Sequence, residues 1–154
     1  MPSLTSNAEQ LVALNNPFLF TESDACNGGY IYHEEGSGIV ILKGAPSCPR
    51  SRFAKYQLTF NGNIAIPTGG TVTPIAVAIT VNGEPRLTSR AIYTPAAVDE
   101  YGNVTSTAII NVPRGCCFSV SVRAVAGSND ATVTPAPFIN IQNGNLDINR
   151  VVRS

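Results

Sequence analysis

The residues best suited to chemistry lie around the single histidine, His33, which is followed directly by Glu34 and Glu35. Such a run could bind a metal, because imidazole nitrogens and carboxylate oxygens are both common ligands of divalent cations. Side chains alternate between the two faces of a strand, so His33 and Glu35 would share a face and supply two ligands at most. We therefore predict no metal site and interpret the run as a solvated strand end.

Other catalytic patterns are also missing from the sequence. A Ser-His-Asp triad would have to recruit His33, and Gly36-Ser-Gly38 is too short to form a Gly-x-Ser-x-Gly elbow. The Gly69-Gly70 pair lacks the Lys-Ser/Thr of a phosphate-binding loop. The loop carboxylates, Asp99 and Asp130 among them, do not have the spacing of a calcium loop. We predict a non-enzymatic protein with no catalytic residue and no cofactor.

Four cysteines are present, namely Cys26, Cys48, Cys116 and Cys117. In a cytosolic product they are expected to be free thiols, although the spacing leaves a Cys26–Cys48 disulfide open. Cys116 and Cys117 are adjacent in a strand-like run, so we expect their side chains to point to opposite faces.

The charge of the chain argues against nucleic-acid and membrane partners. Ten acidic and ten basic residues give a formal net charge of zero, and charged residues make up 13% of the chain. Nucleic-acid binders usually carry a basic stripe, whereas the densest basic cluster, Arg50, Arg52 and Lys55, is interpreted as a solvated strand edge. No apolar run is long enough to span a membrane, and residues 1–16 do not resemble a signal peptide. We predict synthesis in a cytosol.

Hydrophobic periodicity predicts strands over most of the chain. Residues 53–60 alternate strictly, which is typical of a half-buried strand. Residues 72–81 are apolar or small on both faces, which predicts a central strand, and Asn82-Gly83 then provides a tight hairpin turn. Residues 138–141 and 146–152 are predicted to pair with each other across a turn at 142–145.

Further strands are predicted at 18–21, 29–33, 39–42, 86–94, 103–112 and 116–125. With about eight to ten strands and no long helix, we expect an all-β fold, an antiparallel β-sandwich or jelly roll. Residues 6–14 have capping-box spacing at Ser6 and Glu9 and are the one plausible helix. We therefore divide the chain into a short N-terminal arm, residues 1–16, and a jelly-roll domain, residues 17–154.

A family resemblance covers residues 16–152 and is carried by several short segments in a fixed order. They include Phe18-Leu-Phe-Thr-Glu22, Phe60-Asn-Gly-Asn-Ile64, Pro67-Thr-Gly-Gly-Thr71, Asn111-Val-Pro-Arg-Gly-Cys-Cys117 and Asn143-Gly-Asn-Leu146. In this order they resemble small proteins encoded in phages and prophages of Gram-positive gut bacteria. The pattern also resembles the trimeric jelly roll of the tumour-necrosis-factor and C1q class, whose relatives decorate phage heads, end phage fibres and cap spore-coat proteins.

The resemblance implies a virion protein that is assembled in the host cytoplasm. We expect a homotrimeric capsid decoration or head-fibre protein that binds the major capsid protein or another virion protein. In this hypothesis, small and apolar strand faces such as 72–81 meet around the threefold axis. The N-terminal segment would contact the shell through five apolar residues, Leu4, Leu11, Val12, Leu14 and Phe18.

The alternative interpretation is a receptor- or glycan-binding head domain of a phage fibre or of a bacterial surface or spore-coat protein. Loops 95–103 and 127–134 would then form the binding site. The sequence contains no tryptophan, which is a favoured platform for stacking against sugars, and this counts against the alternative.

Overall fold

The computed structural model describes residues 3–24, 31–33, 36–44, 53–113, 115 and 117–151, which form a two-layer β-sandwich. The strands are β1 (Ser3–Ser6), β2 (Gln10–Ala13), β3 (Glu22–Asp24), β4 (Ile31–His33), β5 (Val40–Lys43), β6 (Phe53–Ala65), β7 (Ile75–Val81), β8 (Glu84–Pro85), β9 (Ala91–Tyr93), β10 (Gly102–Pro113), β11 (Cys117–Ala126) and β12 (Phe138–Val151). A 3₁₀ turn, Leu87–Ser89, connects β8 to β9. The all-β prediction is confirmed.

Two antiparallel sheets make up the sandwich. The first sheet has the order β10-β6-β12-β1-β3, with β2 pairing alongside β12. The second sheet has the order β4-β5-β11-β7-β8, with β9 pairing alongside β7. The inward side chains of both sheets form one continuous hydrophobic core. Because most neighbouring strands, apart from β4–β5 and β7–β8, are distant in sequence, the packing of the two sheets contributes more to the fold than local structure does.

The long strands of the first sheet follow the predicted period of two. In β6, Ala54, Tyr56, Leu58 and Phe60 are buried and alternate with residues that face outwards. The neighbouring β10 alternates in the same way along its whole length. This alternation fixes the register, since a slip of one residue would turn every core side chain towards water.

Strand β7 is buried on both faces within a single chain. All seven residues of Ile75–Val81 are buried, which confirms the predicted central strand. Ile75, Val77 and Ile79 enter the main core, while Ala76 and Ala78 pack with Val125 on the opposite face. The expectation that 72–81 provides a free apolar face for a trimer is therefore wrong for β7.

The turn after β7 has the predicted geometry. Asn82 and Gly83 have φ values of 51° and 86°, as a two-residue hairpin between β7 and β8 requires. The Asn82 side chain also accepts a hydrogen bond from the backbone N–H of Ser119 at 2.9 Å, which ties the turn to β11.

The predicted turn at 142–145 is wrong, because β12 runs without reversal from Phe138 to Val151. Its pairing with β6 shifts register between Gln142 and Asn145, so this segment is a β-bulge. Asn143 adopts a positive φ of 55°, and Gly144 packs directly under the ring of Phe18. Asn143 adopts the positive φ that an Asn-Gly turn requires. In this fold that conformation produces a bulge that bends one long strand, instead of reversing the chain.

The predicted helix over 6–14 is also wrong, since Gln10–Ala13 forms strand β2 and pairs with β12. The side chain of Gln10 donates from Nε2 to the carbonyl oxygen of Leu19 at 2.7 Å and accepts from the Leu19 N–H at 3.0 Å. These long-range contacts and the pairing with β12 outweigh the local capping pattern, because a helix this short is marginally stable by itself.

Most of the segment predicted as an N-terminal arm lies within the sandwich. Strand β1 is hydrogen-bonded between β12 and β3, and β2 lies beside β12. The division into residues 1–16 and 17–154 stays a prediction, and this strand pairing does not support it.

Candidate interaction surfaces

The outer face of β10, β6, β12 and β1, four strands of the first sheet, is long and carries few charges; the edge strand β3 beyond it aligns Glu22 with Thr5 and Asp24 with Ser3. The face is formed by the residues that alternate with the core positions of four strands, and among its described side chains Lys55 and Asp147 carry charge. The others are mainly amides and hydroxyls, together with Phe53 and Ile109, which are 55% and 52% exposed. The residues of this face are Ser3, Thr5, Phe53, Lys55, Gln57, Thr59, Asn61, Asn63, Asn103, Thr105, Thr107, Ile109, Asn111, Asn145, Asp147 and Asn149.

A chain of hydrogen-bonded asparagines crosses one end of this face. Asn103 donates from Nδ2 to the side-chain oxygens of Asn61 at 2.9 Å and Asn63 at 3.0 Å. Asn63 donates to Asn143 at 3.3 Å, and Asn143 donates to Asn7. This asparagine row links β10, β6, β12 and the β1–β2 connection, and it orders short polar side chains without any charge.

A groove with a volume of about 260 Å³ opens at the end of the sandwich where β6 leaves the first sheet. Three segments line this end groove: Leu11 of β2, the turn 66–71, and residues 136–138 at the start of β12. Leu11 and Phe138 are 62% and 45% exposed, so both present apolar surface to water. The turn is shaped by Gly69, whose φ of 89° lets the Gly70 N–H bond to the Pro67 carbonyl oxygen at 3.0 Å.

Two carboxylates, Glu9 and Asp99, are called the acidic rim here: Asp99 contacts the end groove, and Glu9 precedes the groove residue Leu11 by two positions and bonds to Tyr101, which also senses the charge of Asp99. Asp99 accepts a hydrogen bond from the hydroxyl of Thr68, a groove residue, at 2.5 Å, and its N–H donates to the Ile66 carbonyl oxygen at 2.8 Å. Glu9 accepts from the hydroxyl of Tyr101 at 2.6 Å. Both carboxylates are therefore positioned by neutral hydroxyl groups, and no ion pair to either is present in the described part of the chain.

Burial and the negative charge of the acidic rim both contribute to a raised pKa of Tyr101. Burial raises the pKa of this phenol to about 12, and the hydrogen bond to Glu9 and the negative charge of Glu9 add to the increase. A hydrogen bond with Asn140 acts in the opposite direction, and the charge of Asp99 contributes a further small increase in the pKa. Tyr101 therefore stays neutral and keeps donating to Glu9 at physiological pH.

His33 ends strand β4, as the sequence predicts, but its side chain is not fully solvated. Its ring is half-buried and meets Phe20 edge to face, with ring centroids 6.2 Å apart. Its Nε2 lies 2.8 Å from the carbonyl oxygen of Ser37, which requires this nitrogen to carry the proton. Glu34 and Glu35 lie outside the described residues, and within the described part no three His, Cys, Asp or Glu side chains cluster as metal ligands would.

The structure separates the five predicted partner-contact residues into two groups. Leu4, Val12 and Phe18 are core residues with 0%, 4% and 0% exposure, so in this fold they are not available to a partner. Leu11 is exposed and Leu14 is half-buried. The prediction of a partner contact therefore remains open for Leu11 and Leu14.

Several other predicted features fall partly or wholly outside the described residues. Cys26, Cys48 and Cys116 lie outside them, while Cys117 is exposed at the start of β11. In the basic cluster, Lys55 is exposed, and Arg50 and Arg52 lie outside the described part. Among the described residues, no helix has the length and hydropathy needed to span a membrane.

Comparison with known proteins identifies the fold. No protein-family model and no curated protein matches the sequence. Among solved structures, the Eiger TNF of S. frugiperda superposes with a TM-score of 0.66 at 10% identity, covering 100% of this chain and 94% of that one. The globular domain of zebrafish complement 1qA superposes with a TM-score of 0.57 at 11% identity, covering 99% and 96%.

The chain has the TNF/C1q-like jelly-roll fold. At these identities the similarity concerns the path of the backbone, so it assigns no binding residue. Within the jelly roll, the two loops predicted for glycan binding lie at the same end. Asp99 of loop 95–103 bonds to Ile66, and Thr73 donates to the carbonyl oxygen of Thr134 in loop 127–134 at 3.4 Å.

Sequence reasoning missed the end groove, although it singled out Leu11. The groove requires Leu11 and Phe138 on one outer face, and that placement depends on β2 being a strand paired with β12. Because the sequence predicts a helix over residues 6–14, it does not place Leu11 on a strand beside Phe138. The available signal was Pro67-Thr-Gly-Gly70, whose positive-φ glycine indicates a tight turn but does not show what the turn faces.

Proposed function

We propose that this jelly roll is a non-enzymatic structural protein that acts as a homotrimer and decorates a phage capsid or forms part of a head fibre. The trimer is supported by the TNF/C1q-like fold, since the sequence resembles the trimeric jelly-roll class. The virion assignment depends on the sequence resemblance to phage and prophage proteins, and a capsid partner follows from it.

The observation that carries the trimer is the low charge of the first sheet's outer face. Burying charged groups between subunits is costly, and described charges on this face are confined to Lys55 and Asp147. Strands β10, β6 and β12, spaced about 4.8 Å apart over residues 53–63 of β6, give a face of about 600 Å² together with the four residues of β1. A standard protein interface buries about 800 Å² on each partner, so the face could form most of one such contact.

The assignment replaces β7 with the first sheet as the surface that packs around the threefold axis. The amides of the asparagine row can bond to one another or to a neighbouring copy, because each amide has donors and acceptors to spare. Cyclic closure would also cover sheet edges that would otherwise pair with other chains.

A charge placed on the face tests the trimer. Thr107 is exposed and pairs with Thr59 midway along β10, the edge strand of the face. Thr107→Arg is expected to convert the trimer to a monomer by light-scattering mass, because each copy would have to bury a guanidinium group at a subunit contact. Thr88→Arg, on the exposed 3₁₀ turn, is the matched control and should leave the mass unchanged.

Antibody labelling of virions from a host that carries the gene tests the location. Labels on the heads of intact particles are expected, and labels on tail fibres would favour the alternative of a receptor-binding head. Unlabelled particles, in a preparation where free protein is recognised by the same antibody, would contradict a virion role.

A further inference from the structure

The end groove has no role in the proposed trimer face, yet it combines exposed apolar surface with uncompensated negative charge. We propose that it is a docking site for a segment of another protein that inserts one apolar side chain and places a lysine or arginine against the acidic rim. The inference depends on the residues of the groove itself and does not require the virion assignment.

The volume of the groove suits a single side chain. Sites for small molecules and cofactors usually measure about 300–1,000 Å³, whereas this groove measures about 260 Å³. Protein interfaces concentrate their binding free energy in a few anchors that fill pockets of this kind. An aliphatic or aromatic anchor is therefore the best match in size.

The walls of the groove also favour an apolar anchor. Leu11 and Phe138 extend from the outer face of two paired strands, and Ile66 and Pro67 close the opposite side. A Cβ on Gly70 would overlap Ile66, so glycine lets the turn pack closely against this wall of the groove. An inserted side chain would remove both exposed walls, Leu11 and Phe138, from water, which is favourable in proportion to the area covered.

The negative charge beside the groove favours a basic residue next to the apolar anchor in the partner segment. Glu9 and Asp99 are exposed, and each is held in place by a neutral hydroxyl instead of a cation. A described cation at this end, Arg90, is directed elsewhere and donates to the Ala126 carbonyl oxygen at 3.1 Å and to Asn129 at 2.9 Å. A lysine or arginine of the partner could form an ion pair with Glu9 or Asp99, which are already held in position. The groove therefore favours a basic segment over a neutral one.

Short peptides test the proposal without knowledge of the natural partner. The probes are capped Lys-Xaa-Lys peptides in which Xaa is Leu, Ile, Met or Phe, with Glu-Leu-Glu and Lys-Ser-Lys as controls. Titration into the full-length protein, followed by amide NMR shifts, should move the signals of Gly69, Gly70 and Phe138 for at least one Lys-Xaa-Lys peptide. Replacing Lys with Glu should weaken binding about fivefold or more, and added salt should reduce the difference.

Substitutions in the protein locate the site. Leu11→Ser should abolish the shifts, while Leu87→Ser, at a residue that is 57% exposed on the 3₁₀ turn, should not. The double variant Glu9→Gln with Asp99→Asn should bind Lys-Leu-Lys and Glu-Leu-Glu equally well. It should still bind Lys-Leu-Lys more tightly than Lys-Ser-Lys. Equal shifts with every peptide, shifts confined to other surfaces, or no shifts would overturn the proposal. A loss of oligomer mass in Leu11→Ser would also overturn it, because a second copy would then cover the groove.

Discussion

At the residue scale, the tightest constraint is the contact between Phe18 and Gly144. Phe18 packs edge to face on Phe20 and Phe60, with ring centroids 5.2 Å and 5.9 Å away, and all three rings are fully buried. Gly144 lies against the Phe18 ring, and a Cβ at this position would overlap it. The bulge in β12 and the aromatic cluster therefore depend on each other.

Gly144→Ala is expected to destabilise the fold by about 1–3 kcal/mol, the usual cost of forcing extra volume into a packed core. Urea denaturation gives the free energy of unfolding. Phe18→Leu makes room at the same site, so the double variant should lose less stability than the sum of the two single variants. Strictly additive losses would show that the two residues do not compete for space.

A second prediction concerns the pH dependence of stability that follows from the raised pKa of Tyr101. Its folded pKa of about 12 lies above the ordinary tyrosine value of 10.0, so it contributes stability that is complete below pH 10 and is lost as the pH rises through about 12. Tyrosinate absorbance should show a late-titrating group that disappears in Tyr101→Phe. Glu9→Gln should lower the pKa of Tyr101 without returning it fully to 10, because burial is the largest cause. Titration of Tyr101 near 10 in the unmodified protein would contradict the acidic rim geometry.

At the element scale, the strands that follow one local rule were predictable and those set by distant partners were not. The alternation of β6 and β10 and the hairpin at Asn82-Gly83 follow from period and turn chemistry, and the structure has both. Strand β2 pairs with residues of β12 more than a hundred positions away, and the bulge in β12 lies opposite residues of β6 about 80 positions away, so local patterns contain neither relation. The end groove depends on the same long-range pairing.

The N-terminal strands provide a prediction at this scale. Strands β1 and β2 are integral to the first sheet, so removal of residues 2–15 should prevent stable folding. Loss of the buried side chains of Leu4 and Val12 alone should cost about 2–5 kcal/mol each, out of a typical total of about 5–15 kcal/mol. The truncated chain should therefore show no cooperative thermal unfolding transition. Leu11→Ser, at an exposed position, should change the stability little, and a stably folded truncation would restore the arm hypothesis.

At the scale of the whole molecule, the fold and its surfaces separate into two parts. Strand β7 is buried completely within one chain, and the face that we propose for sister subunits, on β10, β6, β12 and β1, is mainly polar, with Lys55 and Asp147 as the charged residues among its described side chains. Such an interface relies on shape and on hydrogen bonds between amides, and we expect it to be less sensitive to salt than a charged one. The composition indicates a low charge for the chain as a whole. Only the sheet order shows that many of the uncharged polar residues lie together on one face.

The number of chains in the particle distinguishes a homotrimer from a monomer. Native mass spectrometry of the full-length protein at micromolar concentration should give a dominant species with three times the mass of one chain. That species should persist at high ionic strength, since the proposed interface contains few charges. A dominant monomer under the same conditions would contradict the account.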